Sequence, residues 1–218
     1  PRPGSPVEVN GLWFNAVSQA LEWAGPGDKS FSEQYRDLPD QIRDSYLREF
    51  WDEANGYLAD YVNGSFRDFS VRPSQVIPVA MPFSPLTVEM KKSILDVLES
   101  ELLTPRGLRS LSPKNEMYEG IYEGDQDTRD LAYHQGTVWP WLLEHFALGY
   151  LEVHKKSGQS LIKRLYDGFE EVLMIRGIGS ISEVYDGNPP HEPRGALSQA
   201  TGVAALLRMG EMIENFNE

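Results

Sequence analysis

Cysteine is missing from the sequence altogether, which excludes a disulfide framework, a thiolate nucleophile and any cysteine-based zinc site. Long apolar runs are missing too. No stretch approaches the ~20 apolar residues that a membrane-spanning helix needs, so no membrane partner is expected. Positive charge is scarce, with 20 Lys and Arg against 33 Asp and Glu and a formal net charge of -13. A field of that sign repels a phosphate backbone before contact forms, so nucleic acid is not an expected partner. The chain opens without a charged-then-apolar signal segment. Pro1-Arg2-Pro3-Gly4 is an extended, loop-like start that reads as a cut inside a longer protein.

What is present suits a globular protein. The hydrophobic share is 40%, and 218 residues are enough to bury a sizeable core. The 5 Trp and 10 Tyr offer flat apolar faces with polar edges, a chemistry that permits carbohydrate binding without identifying it.

Helical spacing dominates the chain. Leu12, Trp13, Ala16, Val17, Ala20, Leu21 and Ala24 fall on one face and stop at Gly25-Pro26-Gly27, which predicts a helix from about Val9. A second helical stretch is expected from Ser32, as N-cap, to Ala54, kinked or split at Pro39. Residues 57–71 have some strand character, Gln75–Met81 suits a short helix, and Leu86–Leu103 a longer one. Residues 104–136 show little periodicity and read as a long loop. Their aromatic content argues against disorder, so they are expected to be functional. Helical patterns resume at Val138–Lys156, Leu161–Ile175 and Leu197–Phe216, with another loop at 177–195. Helix following helix without βαβ punctuation predicts an all-α fold, with residues 1–218 as one domain.

Five segments carry a more specific signal: Pro1-Arg2-Pro3-Gly4-Ser5-Pro6-Val7-Glu8-Val9-Asn10-Gly11-Leu12-Trp13, Arg72-Pro73-Ser74-Gln75, Leu103-Thr104-Pro105-Arg106-Gly107-Leu108-Arg109-Ser110-Leu111, Tyr133-His134-Gln135-Gly136-Thr137-Val138-Trp139-Pro140-Trp141, and Ser182-Glu183-Val184-Tyr185-Asp186-Gly187. In this order, over nearly the whole chain, they resemble the glucosidase domain of glycogen-debranching enzymes, the amylo-α-1,6-glucosidases. The resemblance implies an (α/α)6 toroid, two concentric rings of helices around a sugar pocket. The roughly six or seven helices read from the periodicity would be its C-terminal part, about half, with the N-terminal half of the parent chain missing. It also implies a branched α-glucan as partner, a cytoplasmic enzyme and no metal or cofactor.

Glycosidases of this kind need two carboxyl groups, one protonating the leaving oxygen and one acting on the anomeric side. By the resemblance Glu183, in the loop before the last inner helix, is the catalytic base; by context alone it is an exposed loop glutamate. The family's general acid is an aspartate shortly upstream of the Pro-Arg-Pro-Gly-like segment, outside this chain. Asp125 and Glu8 are the fallback acids within it, a loop-tip or substrate-hydroxyl contact being the favoured reading of Asp125, and a first-turn acid favoured by the helix dipole an equal reading of Glu8. The segment around His134, Gln135, Trp139 and Trp141 is expected to line the glucose subsite, with core packing an equal reading for each indole. His134 is expected to hydrogen-bond rather than hold zinc. Arg109 and Arg106 could clamp hydroxyls or pair with Glu183, a structural ion pair being the favoured reading of Arg106.

Asp186 reads as turn-forming or substrate-touching. Tyr118 and Tyr122 offer aromatic edges or pin their loop, and Gln199 reaches a pocket or caps the last helix. Asn10 and Trp13 complete the expected binding set. The expected reaction is inverting hydrolysis of the α-1,6-linked glucose at a glycogen branch, with the 1–218 piece inactive by itself. Another toroid glycosidase acting on an α-glucan, or a non-catalytic carbohydrate-binding module, are the alternatives.

Overall fold

A computed structural model describes residues 2–215. The chain divides into two compact units, one of residues 1–69 and 74–94, the other of residues 70–73 and 95–218. Among the described residues no helix is long and apolar enough to cross a membrane.

The first unit is built on α1 (Val7–Ala24), α2 (Lys29–Tyr35) and α3 (Leu38–Phe50). Helix α1 ends where Gly25 takes a positive φ of 44° and its N–H bonds back to Leu21 O, as the Gly-Pro-Gly stop leads one to expect. The break between α2 and α3 falls just before Pro39, whose ring is tolerated only in a first helical turn. Two details differ from the sequence reading. Asp28 rather than Ser32 caps α2, accepting from Phe31 N at 3.0 Å, while Ser32 Oγ donates to Gly25 O. Helix α3 stops at Phe50, because Trp51 turns extended and β2 (Trp51–Asp52) pairs with β3 (Tyr57–Leu58).

The strand character of 57–71 materialises as β4 (Tyr61–Asn63) and β5 (Phe66–Asp68), which join β1 (Ser5–Pro6) in a three-stranded sheet ordered β1-β4-β5. Next come a 3-10 turn (Pro73–Gln75), α4 (Val76–Ala80) and α5 (Val88–Glu101), whose C-terminal half belongs to the second unit. Val7, Phe14, Tyr46, Phe50, Leu58, Val76, Val79 and Ile94 form the first unit's core.

In the second unit β6 (Leu103–Thr104), β7 (Gly107–Arg109), β8 (Val138–Trp139), β9 (Val184–Tyr185) and β10 (Pro193–Arg194) form one antiparallel sheet in the order β10-β9-β8-β7-β6. The fold is therefore helix-rich but not free of strands. Between β7 and β8 lies α6 (Gln126–Tyr133), a helix inside the segment expected to be loop. The remaining helices are α7 (Leu142–His154), α8 (Gln159–Asp167), α9 (Glu170–Leu173) and α10 (Ala200–Asn215). Leu143, Phe146 and Ala147 of α7, Ile162 of α8 and Met209 of α10 are fully buried, together with Leu108, Val138 and Val184 from the sheet. Phe216, the expected end of the last helix, lies outside the described residues.

Candidate active site

Three of the five sequence segments become neighbouring strands of one sheet. Leu103-Thr104 and Gly107–Arg109 supply β6 and β7, Val138-Trp139 supplies β8, and Val184-Tyr185 supplies β9, with Arg109 opposite Val138 and Val138 opposite Tyr185. Residues far apart in sequence are thereby delivered to one place by backbone pairing.

Glu183 immediately precedes β9 and is half-buried. Its N–H donates to Ala196 O at 3.0 Å, and the return strand β10 brings Gly195 and Ala196 alongside it. Both carboxylate oxygens are held: Tyr133 Oη donates to Oε1 at 2.6 Å and Ala196 N donates to Oε2 at 2.9 Å. Each oxygen can accept a second hydrogen bond, so the group is fixed yet has lone pairs to spare. Gly195 has φ +66°, and a Cβ there would stand 2.6 Å from Glu183 Oε2. Only glycine satisfies both the left-handed backbone and the close approach.

An aromatic wall adjoins this carboxylate. The Tyr133 ring lies 4.8 Å from Trp139, 4.7 Å from His134 and 5.6 Å from Tyr122. His134 stacks on Trp139 at 5.4 Å with an interplanar angle of 11° and is exposed. Trp139 Nε1 donates to Tyr133 O, so the indole is oriented by α6. Burial, joined by the hydrogen bond to Glu183 and its charge, pushes the Tyr133 hydroxyl far above its ordinary value; it keeps its proton as a donor.

A second layer locks these segments. Asp186, nearly fully buried, accepts from Tyr122 N at 2.8 Å through Oδ1 and from Arg194 through Oδ2, tying the 118–123 stretch to the β9–β10 hairpin. Arg109 Nε donates to Gly187 O at 2.9 Å and Nη1 to Glu101 O at 3.3 Å. Tyr118 Oη donates to Asn188 Oδ1, and burial raises the Tyr118 hydroxyl against the opposing influence of Arg109. Gln135 Oε1 accepts from Arg72 Nη2 at 2.5 Å, while Arg72 Nη1 donates to Ser110 O and His134 O, so Arg72 sets the approach to β8.

Arg106 donates to Gly168 O and lies 5.7 Å over the Phe169 ring, a packing role. Asp125 caps α6, accepting from Thr128 N and Oγ1, and is exposed; those bonds hold its carboxyl below the ordinary range. Trp141 packs edge-on to His145, and Gln199 N donates to Ile181 O at the start of the last helix.

Glu8, Asn10 and Trp13 belong to the first unit. Glu8 receives two hydrogen bonds from Arg2, at 2.6 and 2.8 Å, and Arg2 also pairs with the buried Asp60. Asn10 and the exposed Trp13 line a cleft of about 480 Å³ with Ser45, Tyr46 and Glu49 of α3. Among the described residues no three His, Asp or Glu side chains are grouped to hold a metal ion.

Residue by residue, the sequence does not mark Tyr133, Arg72, Arg194 or Ala196. Tyr133 and Arg72 lie within the family-like segments; nothing in the local sequence marks the other two.

A carboxylate held at both oxygens thus lies beside tyrosine, histidine and tryptophan rings, residue types whose flat faces and polar edges suit sugars. Residues 1–208 match the family described as amylo-alpha-1,6-glucosidase, and the chain belongs to that family. It is similar to the glycogen debranching enzyme of Saccharomyces cerevisiae, 24% identical over 192 residues, covering 72% of this chain but only 12% of the yeast protein. Its fold is similar to that of the neutral trehalase of Saccharomyces cerevisiae (TM-score 0.64, 13% identity, 95% of this chain and 39% of that one). It is also similar to the mannosylglycerate hydrolase of Thermus thermophilus (TM-score 0.63, 14% identity, 95% and 46%).

Proposed function

We propose that this chain forms part of an amylo-α-1,6-glucosidase that releases the single α-1,6-linked glucose from a trimmed, branched α-glucan in the cytoplasm. Family membership and the fixing of Glu183 at both oxygens beside the aromatic wall support this reading, the second being the observation that carries it. Glu183 acts as the general base. It takes a proton from a water whose oxygen attacks the anomeric carbon, while the C1–O bond on the opposite face breaks and the departing oxygen takes a proton from the second carboxyl group. The family resemblance puts the acid on an aspartate upstream of Pro1; Asp125, engaged as a helix cap, and Glu8, paired with Arg2, remain the fallback acids.

His134, Trp139 and Tyr122 present faces and edges to the sugar, with Tyr118, Gln135, Arg109, Asp186 and Gln199 shaping the same subsite. Trp141 backs this subsite, while Asn10 and Trp13 of the first unit line their own cleft beside α3. The helix-rich chain constitutes about half of an (α/α)6 toroid; its coverage of 39% and 46% of the two solved hydrolases agrees with a piece of that size.

The test is product analysis on the enzyme containing these residues together with its upstream acid. Free glucose from an α-1,6-branched limit dextrin is the expected result. Glucan binding without turnover would instead make it a carbohydrate-binding module, and turnover of other α-glucosides alone would make it a different glycosidase.

A further inference from the structure

The hydroxyl of Tyr133 is one of two donors to Glu183 and the only one of the pair on a side chain, Oη standing 2.6 Å from Oε1. Both the backbone and the ring behind that hydroxyl are held by neighbours. Tyr133 is the last residue of α6, whose first turn is capped by Asp125. Its carbonyl oxygen accepts from Thr137 Oγ1 and from Trp139 Nε1, so the backbone is held from the far side of the helix end. Its ring, half-buried, packs against Tyr122, His134 and Trp139, with centroids 4.7 to 5.6 Å away. The backbone donor Ala196 N meets the other oxygen at 2.9 Å. Two donors, one per oxygen, restrict the rotation of the carboxylate plane, which a single contact leaves free.

We propose that Tyr133 is the positioning residue for Glu183: its O–H occupies one lone pair of Oε1 and fixes the carboxylate plane, leaving the remaining lone pairs to aim at the attacking water. This rests on the reading of Glu183 as the general base. Orientation of that kind acts on the chemical step rather than on ground-state binding. Misplacing a base by about 1 Å costs on the order of 100-fold even when every group is still present. The raised hydroxyl of Tyr133 keeps it a donor throughout the working pH range.

The experiment compares Tyr133→Phe, Tyr133→Ala and Glu183→Gln in the enzyme that carries this chain with its upstream acid, assayed on an α-1,6-branched limit dextrin. Tyr133→Phe keeps the ring and its packing while deleting only the donor. The expected result is a kcat lower by roughly 10- to 100-fold with KM within about 3-fold and an unchanged melting temperature. Tyr133→Ala should lose both kcat and substrate affinity, because it also opens the aromatic wall.

A Tyr133→Phe enzyme with wild-type kcat, or one whose loss appears wholly in KM, overturns the proposal while leaving Glu183 as base. A Glu183→Gln enzyme that still turns over overturns the base assignment and this inference with it. Loss of fold in Tyr133→Phe, seen as a collapsed melting transition, would mean the hydroxyl is a structural support and would also overturn the proposal.

Discussion

Asp186 and Arg194 are joined at two points, the guanidinium Nε and Nη2 lying 3.0 and 2.9 Å from the same carboxylate oxygen, while the other oxygen of Asp186 receives Tyr122 N. One buried carboxylate thus holds together the strand after Glu183, the strand returning past it, and the loop carrying Tyr118 and Tyr122. Arg194 also reaches Glu123 at 3.0 Å.

Replacing Arg194 by Met should therefore be costly. It strands the buried Asp186 carboxylate, and because Arg194 is about one quarter exposed the loss should fall at the lower end of the roughly 3–5 kcal/mol typical of broken buried pairs. Turnover should drop at least ~10-fold as the β9–β10 hairpin loosens around Glu183. Urea denaturation with a parallel glucose assay reads both. Stability within ~0.5 kcal/mol of wild type, the range of an ordinary surface change, would show that the pair is dispensable.

Glu183→Gln in the enzyme with its upstream acid should abolish glucose release by well over ~100-fold and leave glucan affinity nearly intact, since the amide is almost isosteric but cannot take a proton from water. The first-formed sugar from the unmodified enzyme should be β-glucose by NMR, as inversion requires. The two catalytic carboxyl groups should then stand roughly 6.5–9.5 Å apart. Initial α-glucose would indicate retention and give Glu183 a different role.

Residues 1–218 taken alone should release no glucose from a branched limit dextrin even when folded. If the acid lies upstream, as proposed, the leaving oxygen has no proton donor in this piece, and Asp125 serves as the cap of α6 through Thr128. Asp125→Asn, which preserves the cap, should leave the longer enzyme's turnover unchanged. Sustained activity of the 218-residue piece, lost on Asp125→Asn, would instead identify Asp125 as the acid.

Acid should weaken the second unit through Glu101. Burial pushes its carboxyl up, but hydrogen bonds from Lys114 and Ser112, with the lysine's charge, outweigh this and leave it below its ordinary value of 4.5. A group depressed on folding stabilises the protein above its unfolded value, and that contribution disappears as pH falls through the lower folded value. Melting temperatures between pH 6 and pH 3 should accordingly fall less steeply for Glu101→Gln than for wild type; identical slopes would remove Glu101 from the acid response.

The helices that could be read in advance are those with an apolar stripe and a stop. Helix α1 shows both, in Phe14 and Val17 on its buried face and in Gly25 at its end. Helix α6 shows neither. Its Gln-Asp-Thr-Arg-Asp-Leu-Ala-Tyr sequence buries only Ala132 fully and leaves Leu131 exposed, so periodicity had nothing to register. The strands of the five-stranded sheet are two or three residues long, too short for alternation to emerge, and are defined by partners up to tens of residues away. Glu183 could be named from its segment, but its phenol partner lies 50 positions earlier in the chain, and Arg194 belongs to the following strand. Such pairings are products of tertiary structure, and a single sequence holds no local trace of them.

The small sheet also bears on how this region opens in hydrogen exchange. Its ladder passes from β10 through β9, β8 and β7 to β6, and each strand is too short to persist once its neighbours leave. Local opening of this sheet should consequently be a collective event, with the amides of Ala196, Glu183 and Ser110 exchanging with deuterium on a shared timescale rather than loop by loop.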